Sequence, residues 1–144
     1  MILNKQIGVF LNLVHCQFKQ YVTTIFNKHG INLTPEQFLV MDTLWDEGIL
    51  SQQQIADTIV KDKNSVTKLI DALEKKGLVE RVSVKEDRRL NKIHLTDLAL
   101  SLKGDATEVA MQCTNCIIKD IPREELTAFV RTLTKMSDNM VNGR

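Results

Sequence analysis

The chain has 144 residues, of which 43% are hydrophobic, and its 19 basic and 18 acidic side chains leave a net charge of +1. These values predict one soluble globular domain and exclude collagen-like, linker-rich and disordered chains. There is no apolar run of the about 20 residues that a bilayer helix needs, and the first residues lack a signal peptide's apolar stretch. We therefore expect a cytoplasmic protein with no membrane partner.

The apolar spacing predicts a long first helix over residues 5–28, which ends before Gly30. Steps of three and four residues place one apolar stripe along it: Ile7, Leu11, Val14, Phe18, Tyr21 and Ile25. Val9, Leu13 and Cys16 lie near the opposite side. Both faces of this helix are therefore expected to be buried. The core of a single monomer can easily bury only one of them.

Two capping boxes predict the next two helix starts, at residues 34–37 (Thr-Pro-Glu-Gln) and 51–54 (Ser-Gln-Gln-Gln). Gly48 ends the first of these helices, and a polar break over residues 61–64 follows the second. The fourth helix ends at Gly77 and buries Val66, Leu69, Ile70 and Leu73. Its outer face is polar and cationic: Lys63, Asn64, Thr67, Lys68 and Asp71.

Alternating β-branched residues predict two strands, residues 79–84 and 92–96, joined by a charged hairpin tip over residues 85–91. A fifth helix starts at Asp97, with an apolar stripe of Ala99, Leu102, Ala106, Val109, Cys113 and Cys116. Residues 120–122 break it, and a final helix carries Leu126, Phe129, Val130, Leu133, Met136 and Met140. The fold class is mainly α with a small β-hairpin, a winged helix-turn-helix between terminal helices.

The basic charge is concentrated in this middle region. Residues 61–92 hold ten basic and six acidic side chains, a net charge of +4, whereas the rest of the chain carries −3. Residues 34–60 contain five acidic side chains and no basic one. The distribution predicts an anionic partner for the second half of the winged region.

The hairpin also resembles that of the MarR family of bacterial transcriptional regulators. Asp87-Arg88-Arg89 followed by Leu95-Thr96 fits the family's Asp-x-Arg and Leu-Thr motifs, and residues 62–68 and 73–81 look like its recognition helix and first wing strand. The resemblance implies a non-enzymatic regulator that dimerises through its first and last helices. It predicts a single domain over residues 1–144, with a DNA-binding region at 33–96 and dimerisation helices at 1–32 and 97–144.

We expect the helix over residues 63–76 and the wing over residues 85–92 to bind DNA. The predicted contact residues are Lys63, Asn64, Ser65, Thr67, Lys68, Arg81, Lys85, Asp87, Arg88 and Arg89. Asn can bond adenine and Lys can bond guanine or phosphate, and the resemblance implies that Arg89 enters the minor groove beside Asp87. Arg81, Lys85 and Arg88 are expected near phosphates. The alternative for Arg88 and Arg89 is a charged tip that protects a strand edge, and we interpret Lys75 and Lys76 as solvated.

The predicted function is that of a homodimeric repressor bound to a pseudo-palindromic double-stranded operator. The resemblance implies release by a small aromatic or phenolic effector or by thiol oxidation. No catalytic motif, cofactor site or metal site is recognised. One alternative is a winged helix that binds a protein partner, and another is a thiol oxidoreductase that uses Cys113 and Cys116.

The three cysteines are predicted to be thiols. Cys16 is either a redox sensor or a small apolar residue of the dimer interface, and we favour the second. Cys113 and Cys116 lie on the apolar stripe three residues apart, a spacing that does not suit a disulfide. We therefore interpret both as buried structural residues.

Overall fold

The computed structural model describes the backbone of residues 2–84 and 87–143 and the side chains of residues 2–83 and 91–143. Its elements in chain order are α1 (Leu3–Lys28), α2 (Pro35–Glu47), β1 (Leu50–Ser51), α3 (Gln52–Ile59), α4 (Lys63–Lys75), β2 (Val79–Val84), β3 (Asp87–Leu95), α5 (Asp97–Ile117) and α6 (Arg123–Asn142). The predicted fold class and the order of helices and hairpin are confirmed. The chain divides into two compact units, Met1–Ala110 and Met111–Arg144.

The end of α1 packs on the first unit, but not through the predicted stripe. Val22 and Phe26 are the buried residues of this helix, and the Phe26 ring meets the edge of Phe38 on α2 at 5.5 Å. Val14, on the predicted stripe, is 53% exposed. A helix of 26 residues is about 39 Å long, so its first half extends past the core that Phe26 reaches. The predicted stripe therefore describes a surface that this chain leaves open.

Both predicted capping boxes are present. At the start of α2, the Gln37 amide donates to the Thr34 hydroxyl at 3.1 Å, and the Gln37 side chain accepts from the Thr34 amide at 3.1 Å. Ser51 and Gln54 repeat this exchange at the start of α3. Each box satisfies amides that have no partner inside the helix, and therefore fixes where the helix begins.

The three described strands form an antiparallel sheet in the order β1-β3-β2, with Ile93 opposite both Leu50 and Arg81. Strand β1 was not predicted, because two residues are too short to show alternation. The second wing strand was predicted to begin at residue 92, whereas β3 begins at Asp87. Polar residues continue the ladder there without an apolar pattern, since backbone pairing needs no buried face.

The core of the first unit is formed by the end of α1, helices α2 to α4 and the sheet. Its fully buried side chains include Phe26, Val40, Met41, Leu44, Ile55, Val66, Ile70, Leu73, Val79 and Ile93. Trp45 is also buried, and its indole N–H donates to the Ala99 carbonyl of α5 at 3.1 Å. The core thus holds α4 against the sheet and leaves the other side of α4 open.

In the second unit, α6 has no buried residue, and Val130 on its apolar stripe is 62% exposed. Cys113 is buried as predicted, but Cys116 is exposed, so the prediction of two buried cysteines was wrong for Cys116. Cys116 lies one residue before the end of α5, where the apolar stripe has lost its cover. Across the described residues, none of the helices combines the length and apolarity needed to cross a membrane.

Candidate nucleic-acid interface

Helix α4 begins at Lys63, the start expected for the recognition helix, because Asp62 caps it. The Asp62 carboxylate accepts from the Ser65 amide at 2.7 Å, and Lys63 is already helical. The break between α3 and α4 lies over residues 60–62 and not over residues 61–64, and Val60 in it adopts a left-handed φ of 55°. The Ser65 amide is consequently bonded within the protein and not available to a phosphate.

The outward face of α4 carries the predicted polar residues. Lys63, Asn64 and Lys68 are exposed, while Ser65 and Thr67 are half-buried. Lys61, just before the helix, is exposed as well. Three ammonium groups and an exposed amide therefore lie within two turns at the start of a helix whose other face is fixed in the core. This arrangement presents hydrogen-bond donors to an anion.

Thr67 uses its hydroxyl within the protein. The hydroxyl donates to the Lys63 carbonyl at 2.9 Å and accepts from the Gln52 side-chain amide at 3.1 Å. A hydroxyl has one proton, so this group has no second proton to donate to a base. The methyl group of Thr67 remains the part suited to contact a thymine methyl.

Arg81 joins the wing to α3 and α4. Its guanidinium lies 2.6 Å from the Asp71 carboxylate and 3.1 Å from that of Glu74, both on α4. It also donates to the Gln52 side chain at 3.1 Å and to the Thr67 carbonyl at 3.3 Å. Only 19% of the Arg81 side chain is exposed. This arginine, expected near phosphates, is thus surrounded by protein acceptors.

The far end of α4 is fixed by a glycine C-cap. Gly77 has a φ of +74°, and the Leu78 amide donates to the Leu73 carbonyl at 3.0 Å. Lys76 is half-buried, and its ammonium donates to the Asn32 carbonyl at 2.9 Å and to the Gln37 side chain at 2.7 Å. Burial lowers the pKa of Lys76. The interpretation of Lys76 as solvated was therefore wrong, whereas Lys75 is exposed.

The wing holds the remaining predicted contacts. Lys85 lies outside the described residues, and Asp87, Arg88 and Arg89 belong to β3 by their backbone, with side chains outside the described set. At the base of the wing, the Thr96 hydroxyl donates to the Gly77 carbonyl at 2.6 Å and accepts from the Ala99 amide at 3.2 Å. Thr96 therefore joins the end of α4 to the start of α5.

A cleft of about 340 Å³ opens beside this junction. Its lining residues are Gly30, Asn32, Lys76, Leu78, Leu98, Ser101, Leu102 and Asp105. Trp45 does not line this cleft and is a core residue. In the part of the chain that the structure describes, no three His, Cys, Asp or Glu side chains converge as metal ligands.

Gln52, which bonds Thr67 and Arg81, and Asp62, which caps α4, were not predicted in these roles. Asp62 stands three residues before Ser65, a spacing that could have identified it as a cap. Gln52 is the first residue of α3, and its partners Thr67 and Arg81 are 15 and 29 residues away in the sequence. No local pattern reports such contacts, so only the folded chain shows them.

A cationic helix face held beside a two-stranded wing defines a winged helix-turn-helix protein. The model of the MarR family matches residues 33–90, from just before α2 into β3. The HTH-type transcriptional regulator MhqR of Bacillus subtilis is 30% identical over 97 residues, which is 67% of this chain and 66% of MhqR. The HTH-type transcriptional regulator MgrA of Staphylococcus aureus is 26% identical over 118 residues, or 82% of this chain and 78% of MgrA.

The fold agrees with these sequence relatives. The structure of BpsR from Bordetella bronchiseptica superposes with a TM-score of 0.84 at 25% identity, covering 96% of this chain and 97% of that chain. The chain belongs to the MarR family of transcriptional regulators. The resemblance drawn from the hairpin and recognition-helix motifs is confirmed.

Proposed function

We propose that this regulator binds a pseudo-palindromic duplex operator as a homodimer and represses transcription from it. The observation that carries the proposal is the face of α4, where Lys63, Asn64 and Lys68 are exposed while both helix ends are fixed. A rigid helix with donors on its open side suits the major groove, which is about 12 Å wide. The charge of +4 over residues 61–92 favours the same anionic partner.

The proposed division of labour follows from side-chain chemistry. Asn64 can bond adenine through two hydrogen bonds, and Lys68 can bond guanine or phosphate. In the wing, Arg89 enters the minor groove with Asp87 beside it, while Lys85 and Arg88 neutralise phosphates. Ser65 and Lys63, at the start of α4, contact the sugar-phosphate backbone of the DNA.

The terminal helices support the homodimer. On α1, Phe10, Leu11 and Val14 are 52%, 46% and 53% exposed. On α6, Phe129 and Val130 are 55% and 62% exposed. Two helices with contiguous apolar faces in water are typical of an interface, and a second copy would cover both.

The cleft beside Lys76 is the proposed effector site. Leu78, Leu98 and Leu102 supply apolar walls, while Lys76 and Ser101 supply polar groups. Its volume lies at the small end of ligand pockets, which suits a single aromatic ring. The DNA binding of BpsR is regulated by 6-hydroxynicotinic acid. For this regulator we infer a small aromatic or phenolic effector that releases it from DNA.

Thiol oxidation is the second proposed trigger, since Cys16 is exposed on α1. Peroxide would then weaken operator binding by the wild type but not by Cys16→Ser, and equal responses would rule out this thiol. No observation favours the oxidoreductase alternative. Burial raises the pKa of Cys113, which disfavours the thiolate that a disulfide oxidoreductase needs.

Selection from random duplex DNA by the purified protein, at two salt concentrations, tests the proposed function. We expect enrichment of a pseudo-palindrome with half-sites about one helical turn apart, and a steep loss of affinity at higher salt. A folded protein that enriches no sequence at low salt would contradict the proposal. Affinity for a protein partner that barely changes with salt would instead favour the interaction-module alternative.

A further inference from the structure

The guanidinium of Arg81 bonds mainly to groups of the protein itself, although Arg81 lies in the wing of a proposed DNA-binding protein. A guanidinium has five N–H donors, and here it reaches Gln52, Thr67, Asp71 and Glu74 at 2.6–3.3 Å. The Arg81 backbone amide adds a hydrogen bond of 3.3 Å to the Glu74 carboxylate. A phosphate would have to compete with two carboxylates for a group that is 19% exposed.

The charges around Arg81 also disfavour a phosphate. Asp71 and Glu74 together carry two negative charges against the single positive charge of the guanidinium. An approaching phosphate therefore meets a cluster with a net negative charge. The exposed ammonium groups of Lys63 and Lys68 have no such excess of acidic neighbours among the described ion pairs.

The contacts of Arg81 continue to the open face of α4. Gln52 accepts from the Arg81 Nε at 3.1 Å and donates to the Thr67 hydroxyl at 3.1 Å. The guanidinium also bonds the Thr67 carbonyl, so Thr67 is held through its main chain and its side chain. One arginine of β2 thereby fixes α3 and the middle of α4 relative to the wing.

We propose that Arg81 is a positioning residue, with Gln52 as its relay, that sets the recognition helix against the wing. This inference rests on the proposed function, because it concerns how α4 and the wing read one operator together. Arg81 acts on discrimination between base sequences, since the angle of α4 decides which side chains reach base edges. It does not act by neutralising a phosphate.

The test measures affinity against salt concentration for the selected operator and for operators with single base changes. Arg81→Lys retains the charge but loses the planar fork that bonds four groups. We expect about tenfold weaker binding to the operator, reduced discrimination against the changed operators, and an unchanged salt slope. Lys63→Ala serves as the comparison, because losing a phosphate contact reduces the slope by about 1 with similar losses on all sequences.

Gln52→Ala gives a second test in a variant that keeps Arg81. We expect it to reduce discrimination in the same direction, and the double variant with Arg81→Lys to be little worse than Arg81→Lys alone. Additive losses, or an Arg81→Lys variant with normal discrimination, would overturn the positioning role. A wild-type protein that selects no DNA would instead overturn the proposed function, and the positioning role with it.

Discussion

The winged region and the terminal helices differ in where their apolar side chains find cover. In the winged region, Ile55, Ile70 and Leu73 are completely buried by the same chain. On α1, Val14 is 53% exposed, and α6 has no buried residue. Burial of apolar surface contributes about 25 cal/mol per Å², so the exposed faces leave that stabilisation unused in a single protomer. The difference shows that the apolar core of the winged region is completed by one chain. The apolar faces of the helices proposed to join two chains are not covered by one chain.

The largest expected effect comes from a charge on the open face of α1. Val14→Glu would place a carboxylate in the proposed interface, where burial without a partner is strongly unfavourable. We expect the wild type to sediment as a dimer and this variant as a folded monomer with at least tenfold weaker operator binding. Thr58→Glu, which adds the same charge on an exposed position of α3, should remain dimeric. A dimeric Val14→Glu protein would show that α1 does not form the interface.

A core truncation in the winged region should act within the protomer. Ile70 is completely buried on α4, so Ile70→Ala should lower the free energy of unfolding by about 2–5 kcal/mol in urea. Leu39→Ala, at a side chain 46% exposed on α2, should change it by less than about 0.5 kcal/mol. Equal losses for the two variants would mean that the core does not lie where the structure places it.

The wing prediction concerns affinity and not stability. Arg89→Ala should weaken operator binding by about 1–3 kcal/mol, because it removes the proposed minor-groove contact while the dimer stays intact. Lys75→Ala, at an exposed position near the end of α4, is the matched control and should bind almost normally. Unchanged affinity for Arg89→Ala, measured by anisotropy titration, would show that the wing does not touch DNA.

The smallest expected effect is a pH dependence at the start of α4. Hydrogen bonds from Ser65 hold the pKa of Asp62 below its ordinary value of 3.8. A lowered pKa adds stability above the unfolded-state pKa, and this is lost as the pH falls through the folded-state value. Asp62→Asn retains a cap without a charge, so its stability deficit should be smaller at about pH 3 than at about pH 6. A deficit that is equal at both pH values would exclude the carboxylate as its source.

Several helix ends of the winged region could be predicted from the sequence. The capping boxes at Thr34 and Ser51 and the stop at Gly77 each depend on residues within four positions, and all three are present. Such signals work because a helix end must satisfy its own amides or adopt a conformation that glycine allows. They fixed the starts of α2 and α3 and the end of α4.

The contacts of Arg81 with α3 and α4 could not be predicted from the sequence. Arg81 looked like a phosphate ligand because it lies in a basic stretch, yet its partners come from α3 and α4. Likewise, the α1 pattern correctly identified an apolar face but not that Val22 and Phe26 would be the residues covered by this chain. Periodicity reports which side of a helix is apolar, whereas tertiary packing decides what covers it.

The central claim is that two winged regions, joined through helices with open apolar faces, read two halves of one operator. The most direct test compares the affinity of the purified protein for the selected operator with its affinity for the same duplex with one half-site scrambled. The account predicts at least tenfold weaker binding to the scrambled duplex, with one protein dimer bound to the intact operator. Equal affinity for the two duplexes, or a single protomer on the intact operator, would contradict it.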